Sequence, residues 1–226
     1  MRTRIKICCL ASLEEAQRAI DAGADAVGFV AVRPASPRTI DDSSIAAISA
    51  RVPPPIATFL LTTENTAEGI ARHVSATGVS SVQIVAHLDS TESERLRELL
   101  PATKRIQVIH VENESALDRI ADYSSCVHAF LLDSGRPTQP TPEYGGTGRT
   151  HDWAVSAEFV RRSPLPVFLA GGLTPANVAE AMRTVRPFGV DLCTGVRTAG
   201  RLDPEKLEAF INAVRTTDSE LSAAGH

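Results

Sequence analysis

The sequence predicts an α/β protein folded as a single (β/α)8 barrel. The chain of 226 residues has the length of one such barrel. Short apolar runs alternate with helical segments eight times, and the apolar runs are mostly continuous, which is typical of parallel strands covered on both faces. Eight β-then-α units with mostly short connections favour a closed barrel over an open, doubly wound sheet.

The apolar runs and the helical periodicity place the individual elements. The predicted strands are 4–9, 25–30, 55–61, 80–85, 105–110, 127–132, 166–170 and 188–193. The predicted helices between and after them are 13–22, 42–51, 64–77, 90–100, 113–122, 153–162, 175–185 and 204–216.

Capping signals support several of these boundaries. Ser12 and Glu15 form a capping box at the start of the first helix, and Gly78 is placed to end the third. Thr174 and Pro175 have the residue types of an N-cap and a first helical position, which predicts that the seventh helix begins there.

The whole barrel is expected to form one domain, residues 1–217, because no linker-like composition divides the chain. Residues 218–226 are expected to be a frayed tail. The longest irregular segment, 134–152, follows the sixth strand and contains three prolines and four glycines. A loop of that length in a compact domain indicates a functional lid or a disordered excursion.

Composition excludes several classes of function. A net charge of −4 and a pI near 5.9 argue against nucleic acid or an anionic membrane as a partner. The N-terminus lacks the apolar stretch of a signal peptide and no run is long enough to span a membrane, so a cytoplasmic protein is expected. The four cysteines form neither a disulfide framework nor a CxxC zinc motif, which predicts reduced thiols.

Glycine-bearing turns after consecutive strands predict a phosphate site. They lie at 145–148 (GGTG, with Gly146), at 170–172 (AGG, with Gly171 and Gly172) and at Thr194-Gly195. In this fold the loops after strands seven and eight, with nearby helix N-termini, are the usual phosphate site. Glycine turns also occur for steric reasons alone, so it is the combination of three that favours an anion site.

Strand ends supply the candidates for proton transfer, because active sites in this fold lie at the carboxyl ends of the strands. Cys8 and Asp133 end strands on opposite sides of the barrel and are a candidate base and acid. The alternatives are that Cys8 is a small buried hydrophobe and that Asp133 forms a turn. Cys9 is expected to face the helices, and Cys193 to lie near strand one, where a metal-binding thiol cluster or a redox pair is the less favoured alternative.

The motifs together resemble the phosphoribosylanthranilate isomerase family of tryptophan biosynthesis, nearly from end to end. The matching segments are Lys6-Ile7-Cys8, Ala22 to Phe29, Ser36-Pro37-Arg38, Val82-Gln83, Leu131-Leu132-Asp133, Gly145 to Gly148 with Asp152-Trp153, Leu169 to Val178, Gly189-Val190-Asp191 and Gly195-Val196.

This resemblance implies an Amadori rearrangement of an N-ribosyl anthranilate phosphate to a 1-deoxyribulose phosphate, which is an aldose–ketose isomerisation. Asp133 would be the general acid and Cys8 the general base, and Arg38 would pair with the anthranilate carboxylate. Asp191 would bond the substrate, and the backbone of Gly172, Thr194 and Gly195, helped by the GGTG loop, would hold the phosphate. The resemblance implies a monomer or homodimer that needs no metal or organic cofactor.

The chain also departs from the family pattern. Cys9 stands where glycine is usual, the third and fourth strands differ at 57–59 and from Val85, and the loop after Asp133 is longer. Arg197 replaces a usual glutamate, and this charge reversal could tighten phosphate binding or admit a second anionic group. Two alternatives therefore remain: a diverged isomerase or lyase acting on another phosphosugar, and a non-catalytic phosphometabolite-binding protein.

Overall fold

The computed structural model describes residues 2–31, 38–135 and 150–223, and it confirms the predicted barrel. Eight parallel strands are hydrogen-bonded in chain order, and the eighth closes on the first, with Ile7 opposite Leu192. The strands are β1 (Arg4–Ile7), β2 (Ala26–Val30), β3 (Ala57–Thr62), β4 (Ser81–Ile84), β5 (Lys104–His110), β6 (Ala129–Asp133), β7 (Val167–Leu169) and β8 (Gly189–Leu192).

Helices surround the barrel at the predicted places. They are α1 (Leu13–Asp21), α2 (Asp42–Ser49), α3 (Ala67–Thr77), α4 (Ser90–Leu99), α5 (Arg119–Tyr123), α6 (Trp153–Arg162), α7 (Val178–Val185) and α8 (Pro204–Ala223). A 3₁₀ turn, Glu114–Asp118, precedes α5, and a second, Thr194–Val196, follows β8. A short hairpin of β9 (Arg197–Thr198) and β10 (Arg201–Leu202) leads into α8.

The seventh helix begins later than its sequence signal predicts. Thr174 and Pro175 form a turn, and α7 starts at Val178. The Asn177 side chain accepts a bond from the Thr174 backbone N–H (2.8 Å) and donates one to the Gly172 carbonyl (3.0 Å). This amide bridge closes the turn after β7, and α7 begins directly after Asn177.

The last helix is longer than predicted, because its C-terminal part is tied to the start of the chain. The Asp218 carboxylate accepts bonds from the Thr3 backbone N–H and hydroxyl, the latter at 2.6 Å. Residues 218–223, expected to fray, are therefore helical. The assignment of 1–217 to one domain stays a prediction. Within the described ranges, no helix combines the length and apolar character needed to cross a membrane.

The core has two layers, and both leave the carboxyl ends of the strands free for a site. A large cluster packs the outward faces of the strands against the helices, with Phe130 and Phe159 in edge-to-face contact. A smaller cluster fills the barrel interior, where Phe59, Val108, Leu131 and other inward residues meet Phe168. The apolar filling makes the lower barrel a packed core, so polar chemistry is confined to its mouth.

Part of the predicted phosphate site lies outside the described residues. Gly146 and the rest of the GGTG loop at 145–148 belong to the undescribed segment 136–149, as does most of the long loop after Asp133. The prediction that this loop contacts phosphate remains untested.

Candidate active site

A buried ion pair occupies the centre of the barrel mouth. Lys6 on β1 and Asp191 on β8 lie opposite each other in the strand register, and Lys6 Nζ is 2.9 Å from Asp191 Oδ1. The Lys6 side chain is fully buried. Burial alone would lower the pKa of Lys6, but the charges of Asp191 and Cys8 outweigh it and raise the pKa above its ordinary value. Lys6 is therefore an ammonium held inside the protein.

Cys8 lies beside this ammonium, and both side chains fill the space above Gly28 on the next strand, β2. A Cβ on Gly28 would lie 3.0 Å from Cys8 Sγ and 3.1 Å from Lys6 Nζ. The two atoms therefore share one small space above the bare backbone of β2. Cys8 is buried, and its sulfur lies near the Lys6 ammonium. A thiolate formed at Cys8 would have a positive charge beside it.

Asp133, at the end of β6, carries the acid of the site. Burial raises its pKa to about 6. The neighbouring charge of Asp191 acts in the same direction, while Lys6 and the Ser134 backbone N–H, which donates to Oδ1 at 2.7 Å, oppose it. Both protonation states are therefore accessible near neutral pH, as a general acid requires.

Cys8 and Asp133 both lie near the Lys6 ammonium. Both are close enough to Lys6 for its charge to act on them. Burial raises the pKa of Asp191, and the Lys6 ammonium opposes that shift, which favours the ion pair. The predicted strand-end residues are thus brought together around a lysine that was not among the predicted site residues. Lys6 precedes Cys8 by two positions on the same strand, and that spacing places both side chains on the inward face.

Several buried polar atoms at the mouth have hydrogen-bonding capacity left. Among the described residues, Lys6 Nζ, Asp191 Oδ1 and Gln83 Oε1 are buried without a well-aligned hydrogen bond, although the first two form the ion pair. Buried polar groups in native proteins are nearly always bonded to protein, water or ligand. An ammonium, a carboxylate and an amide oxygen at one mouth suit a ligand that carries several hydroxyl groups.

The glycine turns after β7 and β8 bring three loops into contact. A Cβ on Gly171 would lie 2.8 Å from the Ser134 backbone nitrogen, and one on Gly195 would lie 2.0 Å from the Leu173 carbonyl oxygen. Gly171 and Gly172 also have positive φ angles, 78° and 63°, which side chains strain. The loop after β7 therefore touches the loop after β6 at Gly171 and the loop after β8 at Gly195 through bare backbone.

Arg38 follows β2, where the bridge between Val30 and Thr39 ties its loop to the strand end. Arg38 is partly buried, and its charge acts on the Cys193 thiol after β8. The predicted carboxylate-binding residue therefore lies at the same mouth as the ion pair.

Two expectations about the departures from the family pattern are wrong. Cys9 does not face the helices: its backbone is left-handed (φ 61°), and its side chain turns to Cys8 and Cys193. That conformation is unstrained only for glycine, the residue usual at this position.

The charge of Arg197 is not available to an anion. Its guanidinium is buried and pairs with both carboxylate oxygens of Glu15, at 3.0 and 3.1 Å. It also donates to the carbonyls of Cys9 (2.7 Å) and Gly200 (2.9 Å). The reversed charge is paired with Glu15 and also acts on the Cys193 thiol, and the guanidinium holds the strained turn at Cys9. Within the described ranges, no group of three His, Cys, Asp or Glu side chains is arranged to hold a metal ion.

Comparisons with known proteins agree with this geometry. The sequence profile described as N-(5'phosphoribosyl)anthranilate (PRA) isomerase matches residues 5–213. The N-(5'-phosphoribosyl)anthranilate isomerase of Halobacterium salinarum is 38% identical over 223 residues, which span 97% of this chain and 100% of that protein.

Solved structures show the same likeness. A phosphoribosyl anthranilate isomerase in complex with reduced 1-(o-carboxyphenylamino)-1-deoxyribulose 5-phosphate superposes with a TM-score of 0.78 at 29% identity, over 95% of this chain and 99% of its own. A monomer generated from the dimeric enzyme of Thermotoga maritima has a TM-score of 0.79 at 28% identity, with the same coverage of both chains.

Proposed function

Because this chain belongs to the N-(5'-phosphoribosyl)anthranilate isomerase family, an isomerase family of tryptophan biosynthesis, we propose that its barrel mouth performs the family reaction with Cys8 and Asp133 as the proton-transfer groups. The substrate is N-(5'-phosphoribosyl)anthranilate, and the product is the 1-deoxyribulose 5-phosphate ketose. The observation that carries the proposal is that Cys8 and Asp133 both lie near the buried Lys6–Asp191 ion pair.

Asp133 opens the sugar ring. In its protonated form the carboxylic acid donates its proton to the ribose ring oxygen as the bond from that oxygen to C1 breaks. The nitrogen lone pair of the anthranilate forms the C1–N double bond, so the product of this step is an open-chain Schiff base. A pKa of about 6 supports this role, because a carboxylic acid at its ordinary pKa would be almost fully ionised at neutral pH.

Cys8 moves the second proton. The thiolate removes the proton from C2 of the protonated Schiff base, the C2 electrons form a C1–C2 double bond, and the nitrogen, which keeps its own proton, takes back the electron pair of the C1–N double bond. The resulting enolamine becomes the ketone as Cys8 gives its proton to C1 and the C2 hydroxyl proton returns to Asp133. The Lys6 ammonium beside Sγ supports the role of Cys8 as base, since a nearby positive charge favours the thiolate.

The other predicted residues bind the substrate. Arg38 pairs with the anthranilate carboxylate, for which its planar fork is suited. Asp191 accepts a bond from a ribose hydroxyl while its Oδ1 remains paired with Lys6 at 2.9 Å. The backbone of Gly171, Gly172, Thr194 and Gly195 surrounds the phosphate, with Gly146 contributing from the preceding loop. The analogue bound by the related structure carries the same carboxylate, polyol and phosphate groups, which supports this division of roles.

Some properties follow from the mechanism. The reaction moves hydrogen between C1 and C2 of one molecule, so the enzyme is classed as an intramolecular oxidoreductase. Acid and base come from the chain itself, and the proposed steps use no metal or organic cofactor. We place the enzyme in the cytoplasm as a monomer or homodimer acting on a small phosphorylated substrate, with no role for nucleic acid or membrane. The dimeric Thermotoga maritima enzyme supports the homodimer.

The test follows the loss of anthranilate fluorescence when purified protein is mixed with phosphoribosylanthranilate. Cys8→Ser and Asp133→Asn are each expected to lower kcat/KM by about 10²–10⁴-fold, the usual contribution of a positioned acid or base. Cys126→Ser removes a buried thiol at the opposite end of β6, and Asp21→Asn removes an exposed carboxylate on α1; both controls should keep wild-type turnover.

Two outcomes would overturn different parts of the proposal. Binding of phosphoribosylanthranilate by the wild-type protein without turnover would exclude the isomerase reaction. Turnover that survives Cys8→Ser or Asp133→Asn to within a few-fold would leave the reaction in place but reject the assigned acid or base.

A further inference from the structure

Three thiols meet where β1 and β8 end, and only one of them is needed by the proposed reaction. Ile7 and Leu192 are the last paired residues of the two strands, and the Cys8 backbone N–H continues the ladder to the Leu192 carbonyl at 2.9 Å. Cys8 and Cys193 therefore follow on adjacent strands. The Cys9 side chain packs in one cluster with both of them.

Cys193 is the thiol that a small oxidant in solution reaches first. Cys8 and Cys9 are buried, with exposed fractions of 3% and 8%, whereas Cys193 is partly exposed. The hydrogen bond from Cys9 lowers the pKa of the Cys193 thiol, and the positive charges of Arg38 and Arg197 act in the same direction. Oxidation by peroxide follows thiolate character and exposure, and Cys193 has both.

Cys9 is placed to react with an oxidised Cys193. The side chains of Cys9 and Cys193 are already in contact, and neither residue needs to leave its strand end. The Arg197 bond to the Cys9 carbonyl (2.7 Å) fixes the left-handed turn that directs this side chain toward β8. Disulfides form between residues whose Cβ atoms approach closely and face each other, as side chains in mutual contact at adjacent strand ends do.

We propose that Cys9 and Cys193 form a thiol-oxidation site, at which a hydroperoxide converts Cys193 to a sulfenic acid and Cys9 then closes a reversible disulfide. The Cys193 thiolate attacks the peroxide, an S–O bond forms, the O–O bond breaks and hydroxide leaves. The Cys9 thiol, deprotonated by that hydroxide, attacks the Cys193 sulfur; the S–S bond forms as the S–O bond breaks, and water is released. Two thiols are oxidised while one hydrogen peroxide is reduced to two waters, and a dithiol reverses the change.

The site is independent of the isomerase reaction. The mechanism uses Cys8, whereas the proposed disulfide joins the two other thiols of the cluster. The chain contains four cysteines, so oxidation at this site leaves two free thiols per chain, Cys8 and Cys126.

Peptide mapping after brief treatment with hydrogen peroxide tests the proposal. Trypsin releases Cys8 and Cys9 together in peptide 7–18 and Cys193 in peptide 184–197. The wild-type protein should lose two of its four thiols and yield these two peptides cross-linked, with the link lost after dithiothreitol. Cys8→Ser should keep the cross-link, and Cys193→Ser should lose it.

Cys9→Gly separates the two steps, and it is a safe replacement because glycine suits a φ of 61°. It should lose the cross-link and accumulate a sulfenic acid on Cys193 that dimedone labels. A cross-link that persists in Cys9→Gly would name Cys8 as the partner and overturn the proposal. Dimedone labelling of Cys8 or Cys126 before Cys193 would also overturn the proposal. So would a wild-type protein in which dimedone labels Cys193 but no disulfide forms. Urea unfolding of each variant establishes that the sites compared are folded.

Discussion

Replacing Asp133 by asparagine is expected to make the protein more stable at neutral pH while it removes the proposed acid. The folded state holds this carboxyl in a buried position, and burial disfavours its ionised form. At neutral pH the native protein therefore carries a carboxylate that would be better solvated in the unfolded chain. Asparagine has nearly the same shape, its oxygen can accept the Ser134 N–H bond, and it never ionises.

The expected gain follows from the difference between the two pKa values. The pKa of Asp133 is about 6 in the folded protein and 3.8 as the ordinary value, a difference of about 2. Each pKa unit corresponds to about 1.4 kcal/mol, which sets an upper limit of about 3 kcal/mol on the penalty. The residue keeps some contact with solvent at the mouth, so about 1–3 kcal/mol is the expected range.

The sign of the pH dependence is fixed by the direction of the shift. Below about pH 4 the carboxyl is protonated in both folded and unfolded chains, and it costs nothing. As the pH rises from 4 to 6, the unfolded chain ionises first, so the wild-type protein loses stability that Asp133→Asn retains. Above about pH 6.5, where the carboxyl is mostly ionised in both states, the difference between the two proteins becomes nearly constant.

Urea unfolding between pH 5 and pH 8 measures this difference. Asp133→Asn should exceed the wild type by an amount that grows up to about pH 6.5, while the exposed control Asp21→Asn should stay within about 0.5 kcal/mol of it. If Asp133→Asn were less stable at pH 7, the native carboxylate would be stabilised by Lys6, and Asp133 could not serve as the acid.

Three other substitutions test the geometry of the mouth. Gly28→Ala places a Cβ 3.0 Å from Cys8 Sγ, the proposed base, so kcat/KM should fall in steady-state kinetics. The added methyl group also overpacks this space, so urea unfolding should show a loss of about 1–3 kcal/mol in the free energy of unfolding. Gly195→Ala places a Cβ 2.0 Å from the Leu173 carbonyl oxygen, and it should raise KM for the phosphorylated substrate more than it lowers kcat. Arg197→Met leaves the part-buried Glu15 without its ion-pair partner, so the free energy of unfolding should fall by about 2–4 kcal/mol. Adding Glu15→Gln to this variant should restore part of the loss. If the losses of the two single variants simply add in the double variant, the two side chains do not stabilise the protein as a pair.

The strands and most helix starts could be predicted closely from the sequence, since α1, α2, α4, α6 and α8 begin at the predicted residues, but α3, α5 and α7 begin later than predicted. A continuous apolar run has sharp ends, and β2 and β5 begin within one residue of the predicted positions. The start of α7 depends on a side-chain bridge from Asn177 to the turn before it. Thr174-Pro175 and Asn177 both have residue types suited to a helix start, and the sequence does not show which of them is used. The continuation of α8 depends on Asp218 reaching Thr3 at the other end of the chain.

The residues of the proposed site that lie on strands could be predicted, because their positions follow from the alternation of inward and outward side chains. Cys8, Asp133 and Asp191 are found by reading the inward positions at strand ends, and the same rule would have included Lys6. The surroundings of Cys9 and Arg197 were not predictable in this way. The Arg197–Glu15 pair joins residues 182 positions apart, and the left-handed turn at Cys9 has no signal in a residue that is not glycine.

The arrangement explains how one mouth can combine an acid of raised pKa with a thiol that lies beside a positive charge. Burial raises the pKa of Asp133, so a fraction of this carboxyl stays protonated near neutral pH. The Lys6 ammonium lies differently toward the two groups. It is paired with Asp191 at 2.9 Å and shares the space above Gly28 with Cys8, whereas its effect on Asp133 is smaller than that of burial. A buried charge on the β1 side of the mouth therefore lies against the proposed base without cancelling the raised pKa of the proposed acid.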